Sequence, residues 1–151
     1  MPYLPPVSPQ ILIVDHNQDD VFMLMWALET VGIKQGVQSL DNPADAIRYL
    51  KGRLSDSTSS LQLPALILLA ADLPKMSGYQ VLDWIASQPA LNRIHVRMLS
   101  SSAYGADPHR PEARGSVRFW IKPTLWQEHM DLAREMKALL ISTPTAGQPS
   151  G

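Results

Sequence analysis

Acidic side chains gather where short apolar runs end. Ile11 to Val14 leads straight into Asp15-His16-Asn17-Gln18-Asp19-Asp20, and Asp72 stands two residues past the apolar run Ala65 to Ala70. Carboxylates placed this way can hold a cation or exchange a proton. His16 with Asp19, Asp20 and Asp72 offers the mixed nitrogen and oxygen donors that suit zinc or manganese. Plain solvation is the commoner state of polar residues at strand ends, so no metal is expected, with Asp15 and His16 as the weak candidates. No glycine lies between the first apolar run and Asp20. Backbone there cannot approach a phosphate closely, which argues against a dinucleotide loop or a P-loop. The sequence has no cysteine, which excludes disulfides and thiolate chemistry.

Those residues need a scaffold, and the chain is large enough to build one. Its 151 residues are 45% hydrophobic, which fits one domain with a substantial core. A formal net charge of -1 gives no overall field to draw the protein onto nucleic acid or an anionic membrane. No charged region followed by an apolar stretch opens the sequence, and no run approaches the roughly 18 apolar residues of a membrane span. Neither nucleic acid nor membrane is therefore an expected partner, and a cytoplasmic location is expected.

Apolar strand-like runs alternate with helix-like segments, the signature of a parallel sheet covered on both faces. The strands are expected at Ile11 to Val14, Gly36 to Leu40, Ala65 to Ala70, Ile94 to Leu99 and Val117 to Ile121. Between them, Val21 to Val31 predicts a helix with Asp19 and Asp20 as capping candidates. Asn42 and Pro43 open another through Leu50, with Gly52 placed to stop it. Arg53 to Ser60 reads as a loop, and Gly78 to Ser87 as a third helix ended near Pro89. Gly105, Pro108 and Pro111 leave room for a short or distorted fourth helix at most. Thr124 to Leu140 predicts a terminal helix, with Thr124 as N-cap and Leu125, Leu132, Met136, Leu139 and Leu140 as its apolar stripe. This gives an amino-terminal tail (1–9), one domain (10–141) and a small, polar tail expected to be disordered (142–151). Arg97, midway along a strand covered on both faces, must reach the sheet edge or meet a carboxylate.

The segment Leu66-Ile67-Leu68-Leu69-Ala70-Ala71-Asp72-Leu73-Pro74-Lys75-Met76-Ser77-Gly78 resembles the third strand and following loop of bacterial response-regulator receiver domains. Pro74 and Gly78 match that pattern, while Ala70 stands where the family carries its phosphate-accepting aspartate. Asp15 matches the first of the family's paired magnesium carboxylates and His16 replaces the second. Ser100 matches the hydroxyl that bonds a phosphoryl oxygen, Lys122 the lysine that reaches the same group, and Phe119 the switch aromatic. Pro123 matches the proline that the family typically joins to this lysine by a cis bond. The resemblance covers about Gln10 to Leu140 and implies a three-layer, doubly wound α/β fold, flavodoxin-like, with parallel strands in the order 2-1-3-4-5. Two losses in one site make this a degenerate single-domain response regulator, a pseudo-receiver. Asp15, His16, Asp72, Ser100 and Lys122 are then the remnant of a phosphorylation pocket. Imidazole is a poor ligand for a hard cation, so magnesium binding is expected to be weak or absent and no cofactor is expected.

If that chemistry is lost, function moves to surfaces. Val21 to Leu28 is apolar throughout, and at about 100° per residue Phe22 and Trp26 fall opposite the face that packs on a sheet. Exposed aromatics are the composition of an interface core. Phe22 and Trp26 are therefore one candidate surface, and Trp120 with Trp126 a second. The expected function is a non-enzymatic, phosphorylation-independent signalling module. Its partner would be a histidine kinase, another signalling protein or a second copy in a homodimer. The competing expectations are an active phosphorelay receiver using Asp72, and a flavodoxin-like small-molecule binder.

Overall fold

Each apolar run becomes a parallel strand, and an α-helix follows the first, second, third and fifth of them, in the computed structural model, which describes residues 10–55, 63–73, 76–101 and 118–142. Along the chain come β1 (Ile11–Val14), α1 (Gln18–Thr30), β2 (Val37–Leu40), α2 (Pro43–Ser55), β3 (Leu66–Ala70) and α3 (Gly78–Ala86). A 3-10 turn (Pro89–Leu91), β4 (His95–Ser100), β5 (Arg118–Ile121) and α4 (Trp126–Ser142) complete it. The sheet order is β2-β1-β3-β4-β5 with every neighbouring pair parallel, the flavodoxin-like order that the resemblance implies.

Alternation along the strands divides the core in two. Ile11, Ile13, Leu66, Leu68 and Leu99 pack with Val21, Leu24, Ala27 and Leu28 of α1 and with Met130, Ala133 and Met136 of α4. Leu12, Val14, Ile67, Leu69 and Met98 point the other way, onto Ala46 and Leu50 of α2 and Val81, Leu82 and Ile85 of α3. Each large side chain removed from water on this scale stabilises the fold by about 1.5–3 kcal/mol. β1 and β3 are buried from end to end, which is why they read as unbroken apolar runs.

Helix ends depart from the sequence reading, each for a local reason. Asn17, not Asp19 or Asp20, caps α1: its side chain accepts from the Asp20 N–H at 3.1 Å. The two aspartates sit in the first turn, where negative charge suits the helix dipole. At the other end Gly32 (φ 103°) closes a Schellman motif, with Gly32 N–H donating to Glu29 O at 3.0 Å and Ile33 N–H to Leu28 O at 2.8 Å. Lys137 Nζ adds a bond to Val31 O at 2.6 Å from across the α1–α4 seam. Gly52 does not stop α2, which continues to Ser55 because Leu54 still packs on the core. Thr124 does not cap α4 by accepting a bond. Glu128 reaches back instead, accepting from the Thr124 and Leu125 N–H groups at 2.9 and 3.0 Å and from the Thr124 hydroxyl at 3.0 Å. Leu125 is 66% exposed and leaves the predicted stripe, of which Leu132 and Met136 are buried, while His129 and Ala133, outside that stripe, are buried beside them. The expected fourth helix, the serine-rich part of the loop after α2 and residues 143–151 lie outside the described residues.

Candidate functional site

Three charged groups from three elements meet at the carboxyl end of the sheet. Asp15 leaves the end of β1 with its side chain 3% exposed, and its Oδ1 accepts from the Asn17 N–H at 3.0 Å. Lys122 follows β5, where its N–H donates to Ser100 O at 2.8 Å and carries the β4–β5 ladder one residue beyond the strand. Its Nζ lies 2.9 Å from Asp15 Oδ2 and 2.8 Å from Asp20 Oδ2 in the first turn of α1. Burial pulls the Lys122 pKa down, but the hydrogen bonds and charges of Asp20 and Asp15 outweigh it and hold the ammonium above its ordinary value. His16, about half exposed, sits with Nδ1 3.8 Å from Asp15 Oδ1.

Beside this ion cluster lies a cleft of about 260 Å³ that His16, Asp20, Asp72, Ser100 and Lys122 line, with Ala71 and Leu99 behind them. Asp15 does not line it. Ala70 is 1% exposed and packs within the core on the α2 and α3 side. The start of α3 presses on the same point: a Cβ on Gly78 would overlap the Ala70 carbonyl oxygen and meet Met98 Cε at 3.0 Å. Ser77 and Gln80 fix that helix start by a reciprocal capping box. Among the described residues no three His, Cys, Asp or Glu side chains are grouped to hold a metal ion, so His16, Asp19, Asp20 and Asp72 do not assemble as donors. No cis peptide bond occurs among the described residues, so the Lys122–Pro123 bond departs from the cis form that the resemblance implies.

Two roles in this cluster are not visible in the sequence. Asp20 stands there as a capping candidate and a possible metal donor, yet it supplies the second carboxylate to Lys122. Its place in the first turn of a helix separated from a strand by only three residues is the available signal, since that turn faces the strand end. His129 is 3% exposed, with Nδ1 2.9 Å from Leu125 O, and it borders the same small void as Asp15, Asp20 and Lys122. Its spacing with Ala133 and Met136 places it on the buried stripe of α4.

Comparison with known proteins agrees with this architecture. No protein-family model matches the chain. The probable methanogenesis regulatory protein FilR2 of Methanothrix harundinacea is 28% identical over 127 residues, 84% of this chain and 80% of that protein. Among solved structures, the phosphorylated cyanobacterial phytochrome response regulator RcpA is 25% identical, with a TM-score of 0.75 over 94% of this chain and 100% of the other. The bacteriophytochrome response regulator RtBRR is 26% identical, with a TM-score of 0.71 over 95% and 84%. The receiver domain of a signal transduction histidine kinase from Syntrophus aciditrophicus is 28% identical, with a TM-score of 0.67 over 95% and 97%. This chain has the response-regulator receiver fold.

On this receiver fold the candidate surface residues fall into different places. Phe22 and Trp26 are 65% and 54% exposed and meet edge to face at 6.1 Å between ring centroids. Trp126, 38% exposed, lies 5.1 Å from Trp26 across the α1–α4 seam. The two surfaces read separately in the sequence therefore share one run of rings, Phe22–Trp26–Trp126. Trp120 does not belong to it: it is half-buried against the α1 and α4 side of the core, with the Arg97 guanidinium 5.5 Å from its ring. Arg97 thus stacks on an aromatic ring and bonds Val96 O at 3.1 Å. Phe119 faces the opposite layer, 6.0 Å from Tyr79. None of the described helices of this receiver fold is long and apolar enough to cross a membrane.

Proposed function

We propose that this receiver-fold chain is a two-component signalling module that works without a phosphoryl group, through protein contacts and not by catalysing a reaction. The observation that carries the reading is Ala70, whose buried methyl occupies the end of β3 where the resemblance places the acceptor. A saturated methyl carbon has no lone pair with which to attack phosphorus. The neighbouring groups support the same conclusion. Asp15 already bonds Lys122 and the Asn17 N–H, and Lys122 is held by two carboxylates, so the ion cluster is complete without phosphate. Magnesium needs oxygen ligands in near-octahedral array. Two carboxylates already engaged by one ammonium, beside an imidazole and a methyl group, do not fit that ion.

Signalling then runs through the exposed rings of α1 and α4. We take the partner to be a protein of the cytoplasm, either a histidine kinase or another signalling protein, or a second copy of the chain. Phe22→Glu combined with Trp26→Glu should turn a homodimer into a monomer by light scattering with circular dichroism unchanged. An unaltered mass in that experiment removes the homodimer from the reading.

The decisive assay is incubation with acetyl phosphate and Mg²⁺ followed by intact mass spectrometry. No added mass is expected, and a phosphoryl adduct overturns the proposal. The competing reading, phosphorylation at Asp72, draws on the position of that carboxylate in the cleft with Lys122. Against it, Asp72 is exposed on a loop and Lys122 is committed elsewhere, whereas phosphoryl transfer needs ångström-scale alignment. An adduct lost in Asp72→Asn would establish that competitor.

A further inference from the structure

A trough of about 490 Å³ runs between α1 and the approach to β2, lined by Phe22, Met25, Trp26, Ile33 and Val37 with Glu29 and Lys34. A more polar cavity of about 480 Å³ shares Trp26, Glu29 and Lys34 and continues along the last turn of α1 to Gly32. β2 is an edge strand, so among the described residues no helix over a further strand covers this side of α1. The trough is mainly apolar, and two aromatic rings stand over it.

Three observations point to one occupant, residues 1–9 of the same chain. The first is position. Gln10 N–H donates to Gly36 O at 2.6 Å, and Gly36 is itself a lining residue, so the chain enters the sheet at the rim of the trough. The second is reach: nine residues at about 3.1 Å each span about 28 Å, whereas Phe22 to Glu29 covers only about 10 Å of helix at 1.5 Å per residue. The third is chemistry. Met1-Pro2-Tyr3-Leu4-Pro5-Pro6-Val7-Ser8-Pro9 contains two Pro-x-x-Pro spacings, Pro2 to Pro5 and Pro6 to Pro9. Proline pre-sets φ near −65° and so lowers the entropy lost on binding, and aromatic-lined grooves are what proline-rich segments of this spacing dock into.

We propose that residues 1–9 dock in this trough, laying their prolines against Trp26 and Phe22. The contact is intramolecular and goes beyond the phosphoryl-independent reading, and its test measures peptide binding, which the failure of that reading would not alter.

The probe is a fluorescent synthetic peptide of residues 1–9, titrated by anisotropy into the full chain and into a chain lacking those residues. The shortened chain should bind it saturably. The full chain should bind at least about tenfold more weakly, because a short tether holds the native segment at an effective concentration on the order of millimolar. Trp26→Ala in the shortened chain should abolish binding. Pro5→Ala with Pro6→Ala in the full chain, which removes no residue from the described fold, should admit the peptide as the shortened chain does. Equal binding by full and shortened chains, binding by neither, or continued exclusion by the proline variant each overturns the proposal.

Discussion

Replacing Lys122 by Met should cost the protein about 3 kcal/mol, near the lower end of the range for breaking a buried ion pair. The figure follows from the unequal exposure of the two partners. Asp15 is 3% exposed and would keep one bond, to the Asn17 N–H, while losing its counter-charge. Asp20 is 34% exposed, so water replaces much of what it loses, and that arm adds only about 0.2–1 kcal/mol. Against a total stability on the order of 5–15 kcal/mol the loss is large. Urea denaturation followed by circular dichroism measures it, and Lys122→Met with Asp15→Asn should recover a major part by removing the stranded charge. The pH dependence has a definite sign. Because the folded protein raises the Lys122 pKa, the stabilisation is full below the unfolded value of about 10.4 and is lost as pH climbs through the folded one. The gap between wild type and variant should therefore be constant through neutrality and narrow above pH about 10.4. A gap below about 1 kcal/mol, the size of an exposed pair, refutes the view that this cluster fastens the sheet end.

Gly78→Ala should lower stability by about 1–3 kcal/mol, the usual cost of overpacking, because its Cβ overlaps the Ala70 carbonyl oxygen. Gly52→Ala should instead raise stability by about 0.4–1 kcal/mol, since its Cβ meets nothing within 4 Å; thermal denaturation of the pair checks both signs. Ala70→Asp together with His16→Asp should gain a Mg²⁺-dependent phosphoryl adduct from acetyl phosphate by intact mass, and Ala70→Asp alone should gain less. Glu128→Gln should flatten the acid limb of the stability curve. The Leu125 and Thr124 N–H groups hold the Glu128 carboxyl below its ordinary range, so its contribution is present above about pH 4.3 and disappears as pH falls through the folded value.

The strand positions were legible in the sequence because burial on both faces leaves an unbroken apolar run, and Ile11 to Val14 was read with its observed limits. Sheet order is not contained in such a pattern and came from the resemblance of the segments around Ala70 and Lys122. Helix ends were harder, since they depend on contacts made after folding. Gly52 looks like a stop until Leu54 finds the core beyond it, and Thr124 looks like a cap until Glu128 reaches back over it. Of the pocket, Asp15 and Lys122 were identified as positions in a family pattern, but the spacing did not reveal that Asp20 would join them. That bond spans 102 positions of sequence and is fixed by where α1 begins. The joining of Trp26 to Trp126 escaped for the same reason: each ring belongs to a separate local pattern, and packing of α1 on α4 brings them together.

The double attachment of Lys122 also has a mechanical consequence. In the strand order β2-β1-β3-β4-β5, β3 and β4 separate β5 from β1, yet one ammonium ties the end of β5 to β1 and α1 directly. Further along the same seam, Lys137 grips the last turn of α1 and the two indoles touch. The first and last helices are thus laced at several heights, like two posts joined by rungs of different material. Tilting one must drag the other, so whatever grasps α1 also pulls on the carboxyl-terminal helix.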